Sequence, residues 1–291
     1  MSQGGGTSAA VHGPEGVLLV DKPRGITSHD AVALIRRALR TKKVGHAGTL
    51  DPMATGLLVM GVGRGTRFLR FIGGLPKTYE GTLRLGVETT TLDAEGEVVR
   101  TSEVAVPDDA LERAVAGLRG DSMQRPPAYS AVKVGGRKLY EAARAGEPID
   151  ASPRPIHVER FEVVARRGDD VDVTITCSGG TYVRVLAADV GAALGCGAHL
   201  VALRRTHIGP FDVEDASPPD DPGSPLPIDR AVAHLPSLTL DEEEARAATN
   251  GRPLGPSGWN GPHVVRAPDG RLIGVFEDDG PRSKPLVILA P

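Results

Sequence analysis

Hydrophobic residues along this chain recur with three different spacings, and each spacing predicts a different element. Residues 16–20 (G-V-L-L-V) form an unbroken apolar run of the kind buried on both faces of a sheet, closed by Asp21-Lys22-Pro23, where the proline removes a ladder donor. From Thr27 the period changes. Val32, Ile35 and Leu39 stand at helical spacing, and Thr27 with Asp30 three residues on makes a capping-box variant. Residues 57–62 are a second apolar run, too short for its period to separate strand from short helix. Residues 79–87 and 171–177 alternate, as half-buried antiparallel strands do, and 155–164 and 199–207 add two more strands. Amphipathic helices are expected from Asp108, behind Pro107, to about Leu118, and from Thr181 through Leu194, where Gly195-Cys196-Gly197 ends the second.

Proline and glycine divide the chain. Residues 1–14 are rich in Gly, Ser and Ala and read as a disordered tail, followed by a large domain over 15–214 with a proline-broken, basic insertion at about 121–152. D-A-S-P-P-D-D-P-G-S-P-L-P (215–227) opens a linker that runs to about 235. In residues 236–291, Asp241 caps a short helix ending near Gly251, and 264–267, 272–276 and 285–289 read as strands of a small β-rich domain. Strands outnumber helices and follow one another directly, so the large domain reads as α+β with a mainly antiparallel sheet flanked by helices.

Composition narrows the function classes. With 291 residues, 40% hydrophobic and 24% charged, the chain is an ordinary soluble protein with room for one large and one small domain. No apolar stretch is long enough to span a bilayer and the N-terminus lacks a signal-peptide pattern, so no membrane partner and a cytoplasmic location are expected. Cys177 and Cys196 lie in no C-x-x-C or zinc-spaced cluster; they read as core residues, and neither disulfide nor metal is indicated. The formal charge of -3 alone argues against a nucleic-acid binder. Its distribution changes that: residues 1–70 hold ten Lys or Arg against four Asp or Glu, a net of +6, leaving -9 elsewhere. That third can form an electrostatic footprint for a polyanion, although an uneven solvated surface would give the same count.

The stretch V-G-H-A-G-T-L-D-P-M-A-T-G (44–56) fits neither helix nor strand propensity. His46, Thr49, Asp51 and Thr55 stand among three glycines and Pro52, which stiffens the backbone just after Asp51. Such a loop presents one carboxylate; taken by itself, G-T-L-D-P is more often a turn that Asp51 caps. Arg36, Arg37, Arg40, Lys42 and Lys43 precede it at the end of the first helix, where cations suit the helix dipole and equally well could meet phosphates. No G-x-x-x-x-G-K-[ST] and no G-x-G-x-x-G after a strand supports a nucleotide cofactor.

The continuous string G-H-A-G-T-L-D-P-M-A-T-G-L-L resembles the signature of the TruB-type tRNA pseudouridine synthases. K-T-Y-E at Tyr79, G-T-Y-V-R at Tyr182 and Arg184, H-L-V-A-L-R-R at Leu203, the early K-P of Lys22 and Pro23, and Q-R-P-P-A-Y-S-A-V-K in the insertion resemble that family's further motifs, covering about 16–210. The resemblance implies a pseudouridine synthase fold, a mixed sheet crossed by the active-site cleft, with a C-terminal module loosely like an RNA-binding PUA domain. It implies isomerisation of a T-loop uridine, position 55, of tRNA: the bond from C1′ to N1 breaks, the base turns, and C5 is joined instead. No cofactor is required for this. Asp51 would be the reacting carboxylate, nucleophile or acid/base, Arg184 its partner, and Tyr79 the ring that stacks on uracil and assists final proton removal. His46 would bind near the flipped base, with Tyr182, Leu203 and Lys22 completing the substrate contacts, although the K-P of Lys22 and Pro23 is usually a structural support in that family. Arg125, Lys133, Arg137, Lys138, Arg204 and Arg205 join the five helix-end cations as candidate contacts to the RNA backbone, in a monomer bound to the T-stem-loop. Residues 212–291, at seven Lys or Arg against fourteen Asp or Glu, depart from this basic character. A non-catalytic RNA-binding or tRNA-folding protein would use the same surface, whereas a zinc base deaminase is set aside because the combined pattern of H-x-E with P-C-x-x-C is missing, there being no C-x-x-C in the chain.

Overall fold

The computed structural model describes residues 13–147 and 149–289, so the tail expected over 1–14 falls mostly outside the described residues. The chain enters β1 (Gly16–Lys22), α1 (Ser28–Ala38), β2 (Val44–Ala47), β3 (Thr55–Val62) and β4 (Lys77–Leu85), then a hairpin of β5 (Val87–Thr89) and β6 (Val98–Thr101). After α2 (Asp108–Ala116), β7 (Gly120–Gln124) leads into the insertion, which holds the two-residue strands β8 (Lys133–Val134) and β9 (Arg137–Lys138) and α3 (Leu139–Arg144). It returns as β10 (Arg154–Arg167), β11 (Asp170–Cys177), α4 (Val183–Leu194), β12 (Ala198–Ile208) and β13 (Phe211–Asp212). Among the described residues nine strands form one mixed sheet in the order β1-β3-β12-β4-β11-β10-β7, with β2 on β3 and β13 on β12. Its pairings are antiparallel except at Arg204↔Thr55 and Arg205↔Gly56, where β12 meets β3 in parallel.

The two hydrophobic patterns have different physical causes. On the β1–β3 side both faces are covered: Leu18, Val20, Leu58 and Met60 pack against α1, while Val17, Leu19, Leu57 and Val59 share a core with Val264, Leu272, Val275 and Val287 of the C-terminal sheet. Every position is therefore apolar, and residues 57–62 are strand. On the β4–β11 side only one face is covered. Tyr79, Leu83, Val171, Val173 and Ile175 turn toward α2 and α4, and the intervening Thr82, Asp172 and Thr174 stay half-exposed, giving strict alternation. The α1 cap forms as its sequence predicts: Thr27 Oγ1 accepts from Asp30 N at 3.0 Å and Asp30 Oδ2 from Thr27 N at 2.9 Å.

Beyond β13, the proline-rich residues are held against the sheet: Val17 and Leu226 exchange backbone hydrogen bonds, and Ser217 pairs between Leu19 and Asp21. The C-terminal part comprises β14 (Ser237–Thr239), α5 (Glu242–Thr249), β15 (His263–Arg266), β16 (Leu272–Asp279) and β17 (Arg282–Ile288), with β14 and β15 parallel. Asp241 Oδ1 caps α5 by accepting from Glu244 N at 2.8 Å.

Candidate active site

Asp51 lies in the turn between β2 and β3, and four residues from elsewhere, with one bond inside the turn, fix it. Ser28 Oγ, buried at the start of α1, accepts from Leu50 N at 2.9 Å and meets Leu50 O at 3.0 Å. Gly25 N donates to Pro52 O at 2.8 Å, and Ala54 N to Asp51 O at 3.1 Å. Lys22 Nζ donates to Ile26 O, Pro23 O and Pro52 O at 2.7, 2.9 and 3.3 Å. Arg205 Nη2 donates to Gly48 O at 3.1 Å and its Nε to Leu57 O at 2.7 Å. Glycine is required at position 56, where φ is +99° and a Cβ would stand 2.3 Å from Arg205 O.

These bonds bear on two expectations. Lys22 is fully buried and donates its ammonium to three carbonyls of the loop, as a structural support does; burial pushes its pKa down to about 8. Arg205 is 1% exposed and points inward beside Tyr79, its cross-strand partner, which leaves it no reach to an RNA backbone. Arg204, the next residue, faces the other way and forms a two-bond pair with Asp21 at 2.8 and 3.0 Å. In the insertion, Arg125 is tied to Ala151 O, Arg137 to Glu147 and Lys138 to Tyr140, while Lys133 is exposed. Arg37 in the last turn of α1 and Arg40, Lys42 and Lys43 just after it are exposed, with Arg36 donating to Val44 O at 3.0 Å.

Arg184, in the first turn of α4, reaches Asp51 across 133 residues of sequence. Its Nη1 donates to Asp51 Oδ2 and, at 3.2 Å, to Asp93 Oδ2; its Nη2 donates to Tyr129 O at 2.7 Å. The guanidinium is 5% exposed, Asp93 4% and Asp51 40%, so one buried cation sits between a buried carboxylate and an open one. Asp93 Oδ1 is held by Thr91 Oγ1 at 2.5 Å and Glu95 N at 3.1 Å. Burial pushes the Asp51 carboxyl above its usual range; Arg184 opposes that, Asp93 adds to it, and Lys22 opposes it further. The Arg184 pairing thus favours the ionised form that burial disfavours.

The surrounding groups come from separate elements. Tyr79 of β4 is 6% exposed, and burial drives its hydroxyl upward while Arg205 pulls it back. His46 of β2 has a buried Nδ1 with no partner among the described residues, and burial with the nearby His29 and Arg205 lowers its pKa, favouring the neutral ring. The Tyr182 ring lies 5.7 Å from the Arg184 guanidinium carbon. Leu203 is half-buried and borders a cleft of about 490 Å³ that runs over Thr55, Glu80, Thr82, Asp172 and Thr174. That cleft lies on the polar face of β4 and β11, beside the Asp51 turn but not lined by Asp51, Tyr79 or Arg184. Chemically, the site offers a partly exposed carboxylate held by arginine, with a phenol and a second aromatic nearby and, on β2, an imidazole whose burial favours the neutral form.

Two contributors were missed by sequence reasoning. Asp93 stands in T-T-T-L-D-A-E-G, where the only local signal is a turn. Gln124, whose side-chain amide pairs with the main chain of Tyr182, was visible only as the first residue of the insertion motif.

Several known proteins are similar to this chain. Residues 36–183 match the profile described as "TruB family pseudouridylate synthase (N terminal domain)", 184–219 that of "tRNA pseudouridylate synthase B C-terminal domain", and 235–290 that of "tRNA Pseudouridine synthase II, C terminal". A protein of Corynebacterium aurimucosum named tRNA pseudouridine synthase B is 47% identical over 286 residues, covering 95% of this chain and 96% of that one. One of the same name from Mycobacterium sp. (strain KMS) is 46% identical over the same shares. Among solved structures, a chain of a Cbf5-Nop10-Gar1 complex superposes with a TM-score of 0.73 at 26% identity, over 95% of this chain and 85% of that one.

Proposed function

Because this chain belongs to the TruB family of pseudouridylate synthases, we propose that it converts the T-loop uridine at position 55 of tRNA to pseudouridine with Asp51 as the reacting carboxylate. The observation that carries this reading is the pairing of buried Arg184 of α4 with the partly exposed Asp51 of the β2–β3 turn, beside a core in which Tyr79 of β4 packs with Leu50 and Met53 of that turn and Val183 of α4. A carboxylate acting at C1′ or C6 must be ionised, and Arg184 supplies the opposing charge in a buried setting. Once the C1′–N1 bond breaks and C1′ joins C5, N1 gains a proton and C5 must lose its hydrogen. Tyr79, whose hydroxyl is kept protonated by burial and moderated by Arg205, stacks on the uracil and assists that last transfer. Stacking of about 1 to 3 kcal/mol offsets much of the few kcal/mol needed to extrude the base. His46 and Tyr182 border the extruded base, and the exposed Arg37, Arg40, Lys42 and Lys43 meet its flanking phosphates.

The test is tritium release from tRNA transcribed with uridine labelled at C5, run without added metal or nucleotide, comparing the wild type with Asp51→Asn. Release by the wild type alone, with both proteins binding the tRNA equally, is the expected result. Absence of release from folded, tRNA-binding wild type would replace this reading with a non-catalytic RNA-binding one.

A further inference from the structure

The insertion touches the catalytic centre at two points, and both contacts converge on the first turn of α4. Gln124, the last residue of β7 and 5% exposed, matches its side-chain amide to the main chain of Tyr182 in the manner of a paired strand: Nε2 donates to Tyr182 O at 3.1 Å and Oε1 accepts from Tyr182 N at 2.8 Å. Tyr182 is the N-cap residue of α4: its O accepts the first helical bonds, from Val185 N at 3.1 Å and Leu186 N at 3.3 Å, its own side chain makes no cap, and Gln124 holds the peptide group from which that turn starts. Two residues on is Arg184. Five residues beyond Gln124 on the insertion side, Tyr129 O accepts from Arg184 Nη2 at 2.7 Å. The root of the insertion is itself rigid, since Gln124 pairs with Arg154 of β10 and Arg125 Nη1 donates to Ala151 O at 2.8 Å.

We infer that Gln124 is a positioning residue for the isomerisation: by clamping the Tyr182 peptide it sets the direction in which Arg184 holds Asp51. The insertion therefore orients the arginine as well as offering RNA contacts. This rests on the reading of Asp51 as the reacting carboxylate. A side-chain amide is suited to the task because it alone presents a donor and an acceptor side by side, matching both halves of one peptide unit. Removing it takes its acceptor from Tyr182 N, while Tyr182 O keeps Val185 N at 3.1 Å and Leu186 N at 3.3 Å, so the Tyr182 peptide is free to turn and the first turn of α4 with it.

The experiment uses the full chain and tRNA transcripts. Gln124→Met conserves side-chain length without either polar group, and Gln124→Glu, which keeps an oxygen for Tyr182 N, is the milder variant should Gln124→Met fail to fold by circular dichroism. Single-turnover rate at saturating tRNA and tRNA affinity by filter binding are measured separately. A rate at least tenfold below wild type, with affinity within twofold, is the expected result. Affinity loss with an unchanged saturating rate would show that this part only grips RNA and would overturn the inference, as would wild-type values for both. Wild type and Asp51→Asn in the same assay separate the two levels: turnover by Asp51→Asn refutes the catalytic reading, whereas an active wild type, a dead Asp51→Asn and a fully active Gln124→Met refute only the role of Gln124.

Discussion

Arg184→Met should destabilise the protein chiefly through Asp93. Arg184 carries two carboxylates, and removing one partner of a buried pair costs about 3 to 5 kcal/mol because a charge is left buried without compensation. The two acids are not equivalent. Asp51 keeps 40% of its side chain exposed and can turn to water, so its share is small. Asp93 is 4% exposed, but Thr91 Oγ1 and Glu95 N still donate to it, which places the loss near the lower end, about 3 kcal/mol. Against a typical total of about 5 to 15 kcal/mol this is measurable in urea. Asp93→Asn in the Arg184→Met background removes the stranded charge, so the double variant should be more stable than the sum of the single effects by about 0.5 to 3 kcal/mol. Turnover should be absent with Arg184→Met whether or not position 93 is repaired, since Asp51 has lost its guanidinium. With Arg184→Lys, which keeps the charge, any residual activity should have its acid limb at higher pH, because a weaker pairing opposes burial of the Asp51 carboxylate less. Additive stability effects of positions 93 and 184 would refute the shared-cation account.

Gly56→Ala combines a strained φ of +99° with a Cβ 2.3 Å from Arg205 O, and should cost about 2 to 6 kcal/mol by thermal or urea unfolding while Gly25→Ala, with open space around it, costs less. Burial lowers Lys77 to about 8 from 10.5, so between those values the unfolded chain holds a proton that the folded one does not. Stability should therefore rise with pH across that window, and Lys77→Met should remove up to about 1.4 kcal/mol per pH unit of the slope in urea titrations, despite lowering stability overall by freeing Gly73 O and Leu75 O. For the RNA surface, Lys42→Gln and Lys43→Gln should each weaken tRNA binding and reduce the slope of log affinity against log salt by about one, measured by filter binding from 50 to 200 mM salt; an unchanged slope would place those phosphates elsewhere.

The sequence by itself determined the elements whose causes are local. Thr27 and Asp30 start α1, Asp241 starts α5, and the contrast between the unbroken run in β1 and the alternation in β11 distinguishes a sheet covered on two faces from one covered on one. Its motifs also named Asp51, Tyr79 and Arg184. Contacts between distant segments were decided only in three dimensions. Nothing in D-A-S-P-P-D-D-P-G-S-P-L-P says that Ser217 and Leu226 will pair with β1, because that depends on an unpaired strand edge two hundred residues earlier. Asp93 reads as a turn until Arg184 is placed beside it. The pair Arg204 and Arg205 makes the same point most directly. A period of two guarantees that adjacent residues face opposite ways, but β12 shifts register between Leu200 and Ala202 and again between Arg205 and His207, so its phase cannot be counted from either end. Which arginine turns inward is settled by the carbonyls of Gly48 and Leu57, which offer acceptors to a buried cation only after β3 and β12 have met.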